Sequence, residues 1–447
     1  MTQLSIVLTS HYYTRITVKR IKNIVFLWLF CIKAFASTDS LKITLKDLEG
    51  IFLQKNALLM AHKFDIEANR AAIIQARLWE NPTLTVEQML YNNQTRRILP
   101  VLGLNDVKGQ PTTQQAIQVQ QLFYLAGKRT KRTAMAETST HIAEDNYYDV
   151  LRGLKFELRS NFYDLYYLQN IVRIYEEEIS SLEKTLAGMN TLLQKGIIPI
   201  KDITRIRALL FTLETEQKDL RLEMLEKQVN LRTITGTRNE VYFVPQTNRN
   251  AVDALDVRSL TLDNLLATAF ENRPDLKMQQ SALRLEEQNL IYQKALKVPD
   301  LQAGLLYDRA SSSVPNYFAA TFQINLPFFN KNQGNIKAAA YRVQSVQKMV
   351  TSQEDKITGD IQLAYRRALE TDELYKGYDK SFMIDFDKLF DNVKLNFDKQ
   401  IISMLEFVDF YESYKSSAVL MNRLQSDRVR AIEEINFMVG KEVIGMP

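Results

Sequence analysis

The sequence predicts a mixed α and β membrane protein, in which long α-helical coiled-coil hairpins accompany four β-strands in each chain. Three observations favour this fold class: an N-terminal export signal, an internal two-fold repeat, and helical stretches too long to be buried by a globule of their own. Four strands are too few to close a barrel. We therefore expect several copies of the chain to share one barrel.

Residues 1–36 have the three parts of a secretory signal peptide. Lys19, Arg20 and Lys22 precede an apolar run from Ile24 to Ile32, and Ala34-Phe35-Ala36 forms a small-x-small cleavage site. The apolar run is too short to cross a bilayer, which takes about 20 residues in a helix. The segment therefore predicts export rather than a membrane anchor.

Charge and composition exclude several classes of function. The chain has 57 Lys and Arg against 52 Asp and Glu, but five of the basic residues and no acid lie in residues 1–36, so the rest is balanced and no nucleic acid partner is expected. The single cysteine, Cys31, lies in the leader, and His62 and His141 show no metal-ligand spacing, so neither a metal nor a cofactor is predicted. The run Glu176-Glu177-Glu178 is interpreted as a solvated helix face, and no motif predicts an enzyme.

The chain after the leader is predicted to contain two structural repeats, residues 37–260 and 261–447. Thr44 and Thr261 open similar helical stretches, and later landmarks such as Gly236 and Gly440 recur at a slightly smaller spacing. The difference falls between the two strands of each half, so one loop at the strand tips is shorter. Each repeat reads as helix, strand, loop, strand, long helix, turn and long helix.

Strands are predicted at about 81–91, 114–124, 299–308 and 316–327. Long helices, recognised by a sustained heptad seam of apolar residues, are predicted at about 128–195, 202–235, 335–398 and 404–439. The first of these helices would be on the order of 100 Å long. A helix of that length must pack against its partner and against neighbouring chains.

The strands alternate apolar and polar side chains, as expected when one face meets lipid and the other a polar lumen. The residues expected to face lipid are Phe318, Ala320, Phe322, Ile324, Leu301 and Leu305. An open sheet in lipid leaves unpaired backbone groups at its edges, at several kcal/mol each. Sister copies arranged with cyclic symmetry would supply the missing partners. The alternative is a soluble hairpin with one face on a core.

At several motifs the sequence resembles the TolC-like outer-membrane factors of efflux and type I secretion systems. The motifs are Leu125-Ala126-Gly127-Lys128-Arg129, Arg273-Pro274-Asp275-Leu276, Val298-Pro299-Asp300-Leu301 and residues 326–334. The resemblance covers essentially the whole mature chain, and the Gly-Lys-Arg element is most similar to the heavy-metal efflux branch. It implies a homotrimer with a shared 12-stranded barrel in the cell outer membrane, a helical tunnel across the periplasm, a periplasmic adaptor, and an inner-membrane pump of the resistance-nodulation-division or ABC type.

The resemblance also implies a gate at the periplasmic tip of the helices. The tip turns are expected to contain Gly196, Ile197 and Pro199 in the first half and Gln400, Ile401 and Ser403 in the second. Family members ring the entrance with acidic residues, and the matching positions are Glu406 and Asp409, spaced to share one helix face. Six carboxylates in a trimer would favour cations at the constriction. The alternative is an ordinary solvated helix face.

The predicted function is that of a passive exit duct in a tripartite efflux system, gated at the helical tip. Two alternatives stay open at this point. One is the outer-membrane duct of a type I protein secretion system, which has the same architecture. The other is a periplasmic coiled-coil scaffold that conducts nothing.

Overall fold

The computed structural model describes residues 40–93, 96–98, 113–237, 241–311, 314–377, 380–399 and 401–445. The predicted signal peptide and Gln400 of the second tip turn lie outside these residues. Within them the chain is mostly helical with a few strands, which confirms the mixed α and β prediction. None of the helices in these ranges combines the length and the apolarity needed to cross a bilayer.

The first half of the chain contains the elements up to residue 260. Its helices are α1 (Leu45–Lys55), α2 (Ala57–Arg77), α3 (Lys128–Gln194), α4 (Ile200–Thr235) and α5 (Arg249–Asp253). Its strands are β1 (Ser40–Ile43), β2 (Thr83–Gln88), β3 (Tyr91–Asn92), β4 (Arg97–Ile98), β5 (Gln115–Phe123) and β6 (Tyr242–Pro245). A short 3₁₀ turn, Val257–Ser259, leads into the second half.

The second half follows the same order of elements. Its helices are α6 (Leu262–Asn272), α7 (Pro274–Ala295), α8 (Gln333–Gly377), α9 (Lys380–Asp398) and α10 (Met404–Val439). Its strands are β7 (Leu301–Asp308) and β8 (Tyr317–Ile324). Where one helix was predicted at 335–398, the structure describes α8 and α9, and residues 378–379 between them lie outside its described ranges.

Four strands form one antiparallel sheet in the order β2-β5-β7-β8. Gln120 of β5 lies opposite Thr83 of β2 on one side and Gly304 of β7 on the other. The pairing of β5 with β7 joins the two halves of the chain. Two smaller pairings accompany this sheet: β1 runs parallel to β6, and β3 pairs with β4. The parallel pair was not predicted.

One face of the four-stranded sheet is apolar and exposed on the single chain. Phe318, Phe322 and Leu305 are 77%, 72% and 70% exposed. The register places Leu305 opposite both Val119 of β5 and Ala320 of β8, so apolar side chains from neighbouring strands form continuous rows. An apolar surface of this kind on a monomer marks contact with lipid or with protein.

Two short helical pairs, α1 with α2 and α6 with α7, are each broken by one extended residue between the helices. Asn56 begins α2, with its side-chain oxygen accepting from the Leu59 N–H at 2.9 Å and its amide donating to the Ile234 carbonyl at 2.7 Å. Arg273 precedes Pro274, the first residue of α7, where proline fits because the first turn needs no N–H. The spacing between the two breaks equals the spacing at which the helical stretches open. The predicted repeat requires this equality of spacing.

The long helices α3 and α4 form an antiparallel hairpin around a heptad seam, as do α9 and α10. Helix α3 has 67 residues and begins directly after the sheet, so at about 1.5 Å per residue its far end lies on the order of 100 Å away. Helix α4 returns and ends at Gly236, whose φ of 63° is left-handed and whose added Cβ would come within 2.5 Å of the Lys55 carbonyl oxygen. The fold therefore separates the sheet from the tip of the hairpins by the full length of α3.

Candidate functional site

The two tip turns close with the same backbone hydrogen bond. The Ile197 N–H donates to the Leu192 carbonyl at 3.0 Å, and in the second tip turn the Ile401 N–H donates to the Asn396 carbonyl at 2.8 Å. Gly196 supplies the left-handed residue of the first turn with φ of 72°. Both isoleucines are exposed on the single chain. The tips thus present apolar side chains outward at the end of the molecule farthest from the sheet.

A groove of about 1210 Å³ lies between the two tips. Its walls come from the end of α3, the turn into α4, the end of α9 and the start of α10. Its lining carries more basic than acidic side chains: Lys184, Lys201, Arg205 and Lys394 against Asp202. The predicted tip residues Pro199 and Ser403 also line it. The groove is therefore a mixed apolar and cationic cleft built from both halves of the chain.

Glu406 lies in the first turn of α10 and forms a capping box with Ser403, the residue before the helix. Its carboxylate accepts a hydrogen bond from the Ser403 N–H at 2.8 Å, while its own N–H donates to the Ser403 hydroxyl at 3.2 Å. These bonds from Ser403 hold the pKa of the exposed Glu406 carboxyl below its ordinary value. The residue expected at the gate thus also has a structural role in its own chain.

Asp409 lies three residues further along α10 and is exposed. Its backbone carbonyl accepts the Ser413 hydroxyl at 2.9 Å. Glu406 and Asp409 both lie outside the groove lining. Both carboxylates of the described chain therefore face solvent.

Two of the family motifs meet where the sheet joins the helices. Lys128 is buried, and its ammonium donates to the Asp300 carboxylate at 2.7 Å and to the Val298 carbonyl at 2.6 Å. Asp300 also accepts from the Leu125 N–H at 3.0 Å. Gly127 begins the helix in the left-handed region with φ of 65°. The Gly-Lys-Arg element therefore clamps the start of α3 to the start of β7, although these segments are far apart in the sequence.

The neighbouring Arg129 lies at the edge of the apolar sheet face. Its guanidinium carbon is 4.0 Å from the centre of the Trp79 ring, and Trp79 packs edge-on against Phe123 at 6.1 Å. Trp79 was not among the residues predicted from the sequence. Its position shortly before β2, a strand with only a short alternating pattern, was the one feature of the sequence that pointed to it.

The third motif anchors the end of the long helix α10. Arg273 donates two hydrogen bonds to Asp275, at 3.0 and 2.6 Å, and one to the Met438 carbonyl at 3.1 Å. Burial alone would raise the pKa of Asp275, but the bonds from Arg273 and the nearby Arg152 outweigh it and lower the pKa. Gly440, which ends α10 with φ of 77°, packs directly on Arg273.

One interpretation from the sequence is wrong. Glu178 does not belong to a solvated face with Glu176 and Glu177, because it is only 4% exposed and packs between α3 and α10. Its spacing from Tyr175 and Leu182 puts it in the heptad seam, where a carboxylate is unexpected. This spacing indicates a buried position for Glu178, but the run of three glutamates led to the interpretation of an exposed face.

The two histidines of the described chain lie near carboxylates on α2 and α3. His62 Nδ1 is 3.6 Å from Asp65, and His141 Nδ1 is 3.3 Å from Glu144. Across the described ranges, no group of three or more His, Cys, Asp or Glu side chains is arranged to hold a metal ion.

Comparisons with known proteins agree with this geometry. Residues 50–237 match the family described as outer membrane efflux protein. The chain is 22% identical over 331 residues to the cobalt-zinc-cadmium resistance protein CzcC of Cupriavidus metallidurans, covering 72% of each chain. Its fold is that of CusC, with a TM-score of 0.71, 15% identity and coverage of 89% of this chain and 92% of that one. It is also that of the CmeC outer membrane channel of Campylobacter jejuni, with a TM-score of 0.70, 12% identity and coverage of 90% and 87%.

The resemblance noted in the sequence is thereby confirmed. The family match covers the first helical hairpin and its strands, and the shared fold extends over nearly the whole chain. Residues 50–237 therefore match the outer membrane efflux protein family, and nearly the whole chain has the fold of the outer membrane channels CusC and CmeC.

Proposed function

We propose that three copies of this chain form a passive exit duct that carries substrate across the periplasm and the outer membrane without altering it. The observation that carries the proposal is the exposed apolar face of the four-stranded sheet, led by Phe318, Phe322 and Leu305. Strands β2 and β8 are the two edges of this sheet, so each has backbone N–H and C=O groups on its outer side that a strand of another copy can bind. Three chains would supply twelve strands and close the barrel.

The proposed gate is the helical tip, with Glu406 and Asp409 as its charged ring. Changing Glu406→Gln together with Asp409→Asn removes six carboxylates from a trimer. We expect the cation preference of the pore in planar bilayers to fall by roughly twofold or more, because fixed charge at a constriction selects the permeant ion.

Two controls separate the gate from the helix cap. Glu412→Gln removes an exposed carboxylate from the same helix and should leave selectivity unchanged. Ser403→Ala weakens the capping box, at about 0.5–2 kcal/mol, but keeps both charges. If the double variant keeps the wild-type ion selectivity, the two carboxylates do not form the gate. A folded trimer that never conducts would favour the scaffold instead.

The tip groove is the proposed docking surface for a periplasmic adaptor. Its mixed apolar and basic lining suits a partner helix with acidic and apolar residues. A photo-crosslinking residue placed at Lys201 in living cells should trap a periplasmic protein, identified by mass spectrometry. The same residue placed at Lys348, which is exposed on α8 outside the groove, serves as the control. Equal crosslinking from both positions would remove the groove from the interface.

Heavy-metal ions are the proposed substrate class. The support is the relative CzcC, named for cobalt-zinc-cadmium resistance. Deleting the gene should lower tolerance of the host to these ions, and wild-type protein supplied in trans should restore it. The duct of a protein secretion system predicts a different result: unchanged metal tolerance with the loss of a secreted protein from the medium.

A further inference from the structure

A buried carboxyl group lies at the contact between the two helical hairpins. Glu178 of α3 is 4% exposed and Tyr411 of α10 is 1% exposed. The Tyr411 hydroxyl lies beside the Glu178 carboxyl and lowers its pKa, but within the described chain neither group has a hydrogen bond of ordinary distance and angle. This burial is complete inside one chain, so it does not depend on neighbouring copies.

The other charged groups around Glu178 are already engaged. Lys415 of α10 donates to Glu216 of α4 at 2.8 Å, and Tyr175 of α3 donates to the same carboxylate at 2.9 Å. Glu177 is exposed and pairs with Arg173 at 3.1 Å. No cation among the described residues is therefore bonded to Glu178.

Tyr411 links this contact to the packing of the second hairpin. Its ring lies 5.4 Å from Phe390 of α9 and 5.8 Å from Phe407 of α10. These rings belong to an aromatic zipper that joins α9 to α10, defined by Phe386, Phe390, Phe397, Phe407, Phe410, Tyr411 and Tyr414. A displacement of Tyr411 away from Glu178 would therefore shift the packing of α9 against α10, the hairpin that ends at the tip.

We propose that Glu178 is a proton-operated latch between the hairpins: its neutral carboxyl lets α10 pack on α3, and loss of the proton separates the two helices near the tip. An ionised carboxylate without a partner is far more costly to bury than a neutral one. Separation of α10 admits water to the charge and removes that cost. The physiological meaning of the latch, as control of the tip, rests on the proposed duct function.

The direction of the effect follows from the protonation equilibrium. Burial raises the pKa of Glu178 to about 7, although Tyr411 and Lys415 act to lower it, while Glu216 and Glu177 add to the rise. The pKa of Glu178 in the folded protein lies above the ordinary value of 4.5. The neutral carboxyl therefore stabilises the contact between α3 and α10 fully below pH 4.5, and this stabilisation is lost as pH rises through about 7. Higher pH should therefore loosen the contact.

Hydrogen exchange of the assembled protein tests the latch. Wild type and Glu178→Gln are compared at the same pH, so intrinsic exchange rates cancel. The peptides covering residues 404–418 should exchange alike near pH 5, and about tenfold or more faster in wild type near pH 9, since each pKa unit corresponds to about a factor of ten. Glu177→Gln, the same change one residue earlier, should behave as wild type.

A second variant, Tyr411→Phe, tests the latch even if Glu178→Gln fails to fold. Tyr411→Phe keeps the ring of the zipper but removes the hydroxyl that lowers the pKa of Glu178, so the midpoint of the exchange transition should move to higher pH. The proposal is overturned if wild type and Glu178→Gln exchange equally at every pH, as they would if Lys415 simply changed partner, or if Tyr411→Phe leaves the midpoint in place.

Conductance of the same samples separates the two proposals. An exchange transition in a protein that never conducts would refute the duct and keep the latch. Conductance without an exchange transition would refute the latch alone.

Discussion

Arg428 of α10 is a fully buried arginine whose guanidinium is satisfied by one carboxylate and two carbonyls. It donates to Asp372 at 2.7 Å, to the Val252 carbonyl at 2.9 Å and to the Leu255 carbonyl at 2.6 Å. The bonds tie α8, α10, α5 and the connector after α5 into one unit. Sequence patterns could not reveal this cluster, because its members lie far apart in the chain and each resembles an ordinary surface charge.

Removing the charge of Asp372 should destabilise the protein strongly. Asp372→Asn leaves Arg428 buried without a counter-charge, which costs about 3–5 kcal/mol. Thermal unfolding followed by circular dichroism checks the loss. Glu176→Gln, which breaks the exposed pair with Arg221, should change stability by only about 0–1 kcal/mol. Equal effects of the two variants would contradict the expectation.

Asp164 predicts a pH dependence of opposite sign to that of Glu178. Burial raises the pKa of Asp164, but hydrogen bonds from Arg430 and Lys227 outweigh this and lower it below the ordinary 3.8. The contribution of ionised Asp164 to the free energy of unfolding is therefore complete above pH 3.8, and it is lost as pH falls through the pKa of the folded protein. The difference in free energy of unfolding between wild type and Asp164→Asn should be constant near neutral pH. It should shrink as the solution becomes acidic. A gap that persists unchanged in strong acid would refute this account.

At the scale of elements, Gly304 lies on the strand pair that joins the two halves of the chain. A Cβ added there would overlap the Val119 carbonyl oxygen and the Gln120 side chain of β5. Close approach of neighbouring strands thus requires glycine at this position.

Gly304→Ala should separate β5 from β7 and lower the yield of assembled protein in the outer membrane. The shift needed involves backbone, so it is costly, and we expect a loss of several fold in heat-resistant oligomer on gels. Gly188→Ala is the matched control, because a Cβ at Gly188 meets nothing within 4 Å and alanine favours the helix by about 1 kcal/mol. Normal assembly of Gly304→Ala would show that the strand pair tolerates the methyl group.

Several elements could be predicted from the sequence because their signals are periodic. The heptad seam predicted α3 at about 128–195, and the structure has it at Lys128–Gln194. The strand expected at 81–91 is shorter, at Thr83–Gln88, because Leu84 and Val86 give it only a brief alternation. The short strand β1 was missed, since its parallel pairing with β6 is decided by partners in a distant part of the chain.

The whole molecule raises the question of what pairs with β2 and β8, the edges of the sheet. In a shared barrel, β8 of one copy lies beside β2 of the next. The mature chain has no cysteine, since Cys31 lies in the predicted leader. Introduced cysteines therefore report on contacts between copies without background.

Val86→Cys combined with a cysteine at Phe318, Ala320 or Phe322 should form disulfides between copies and give a trimer on non-reducing gels. These positions share one face of the sheet, and a disulfide needs Cβ atoms about 3.5–4.5 Å apart, so one of the three pairs should fit the register. Val86→Cys alone should give none. Monomers from all three pairs would contradict the shared barrel.

The tip was only partly predictable. Both turns and the order of helices were predicted from the repeat, and the acidic positions were predicted from the family resemblance. The buried Glu178 and the groove between the hairpins depend on how α3 meets α9 and α10, which no local pattern records. In the proposed trimer, the residues that meet at the tip would also depend on contacts between copies, which the sequence of one chain does not record.

The strand order β2-β5-β7-β8 has a consequence for biogenesis. Strand β5 ends at Phe123, and its neighbour β7 begins only at Leu301. Until then the exported polypeptide holds a lone two-stranded ribbon, which is marginally stable in water, with Leu84, Val86 and Ile117 uncovered. In the proposed duct, insertion of the sheet into lipid must therefore wait until the second half is secreted, and a half-length product would be left to chaperones and proteases.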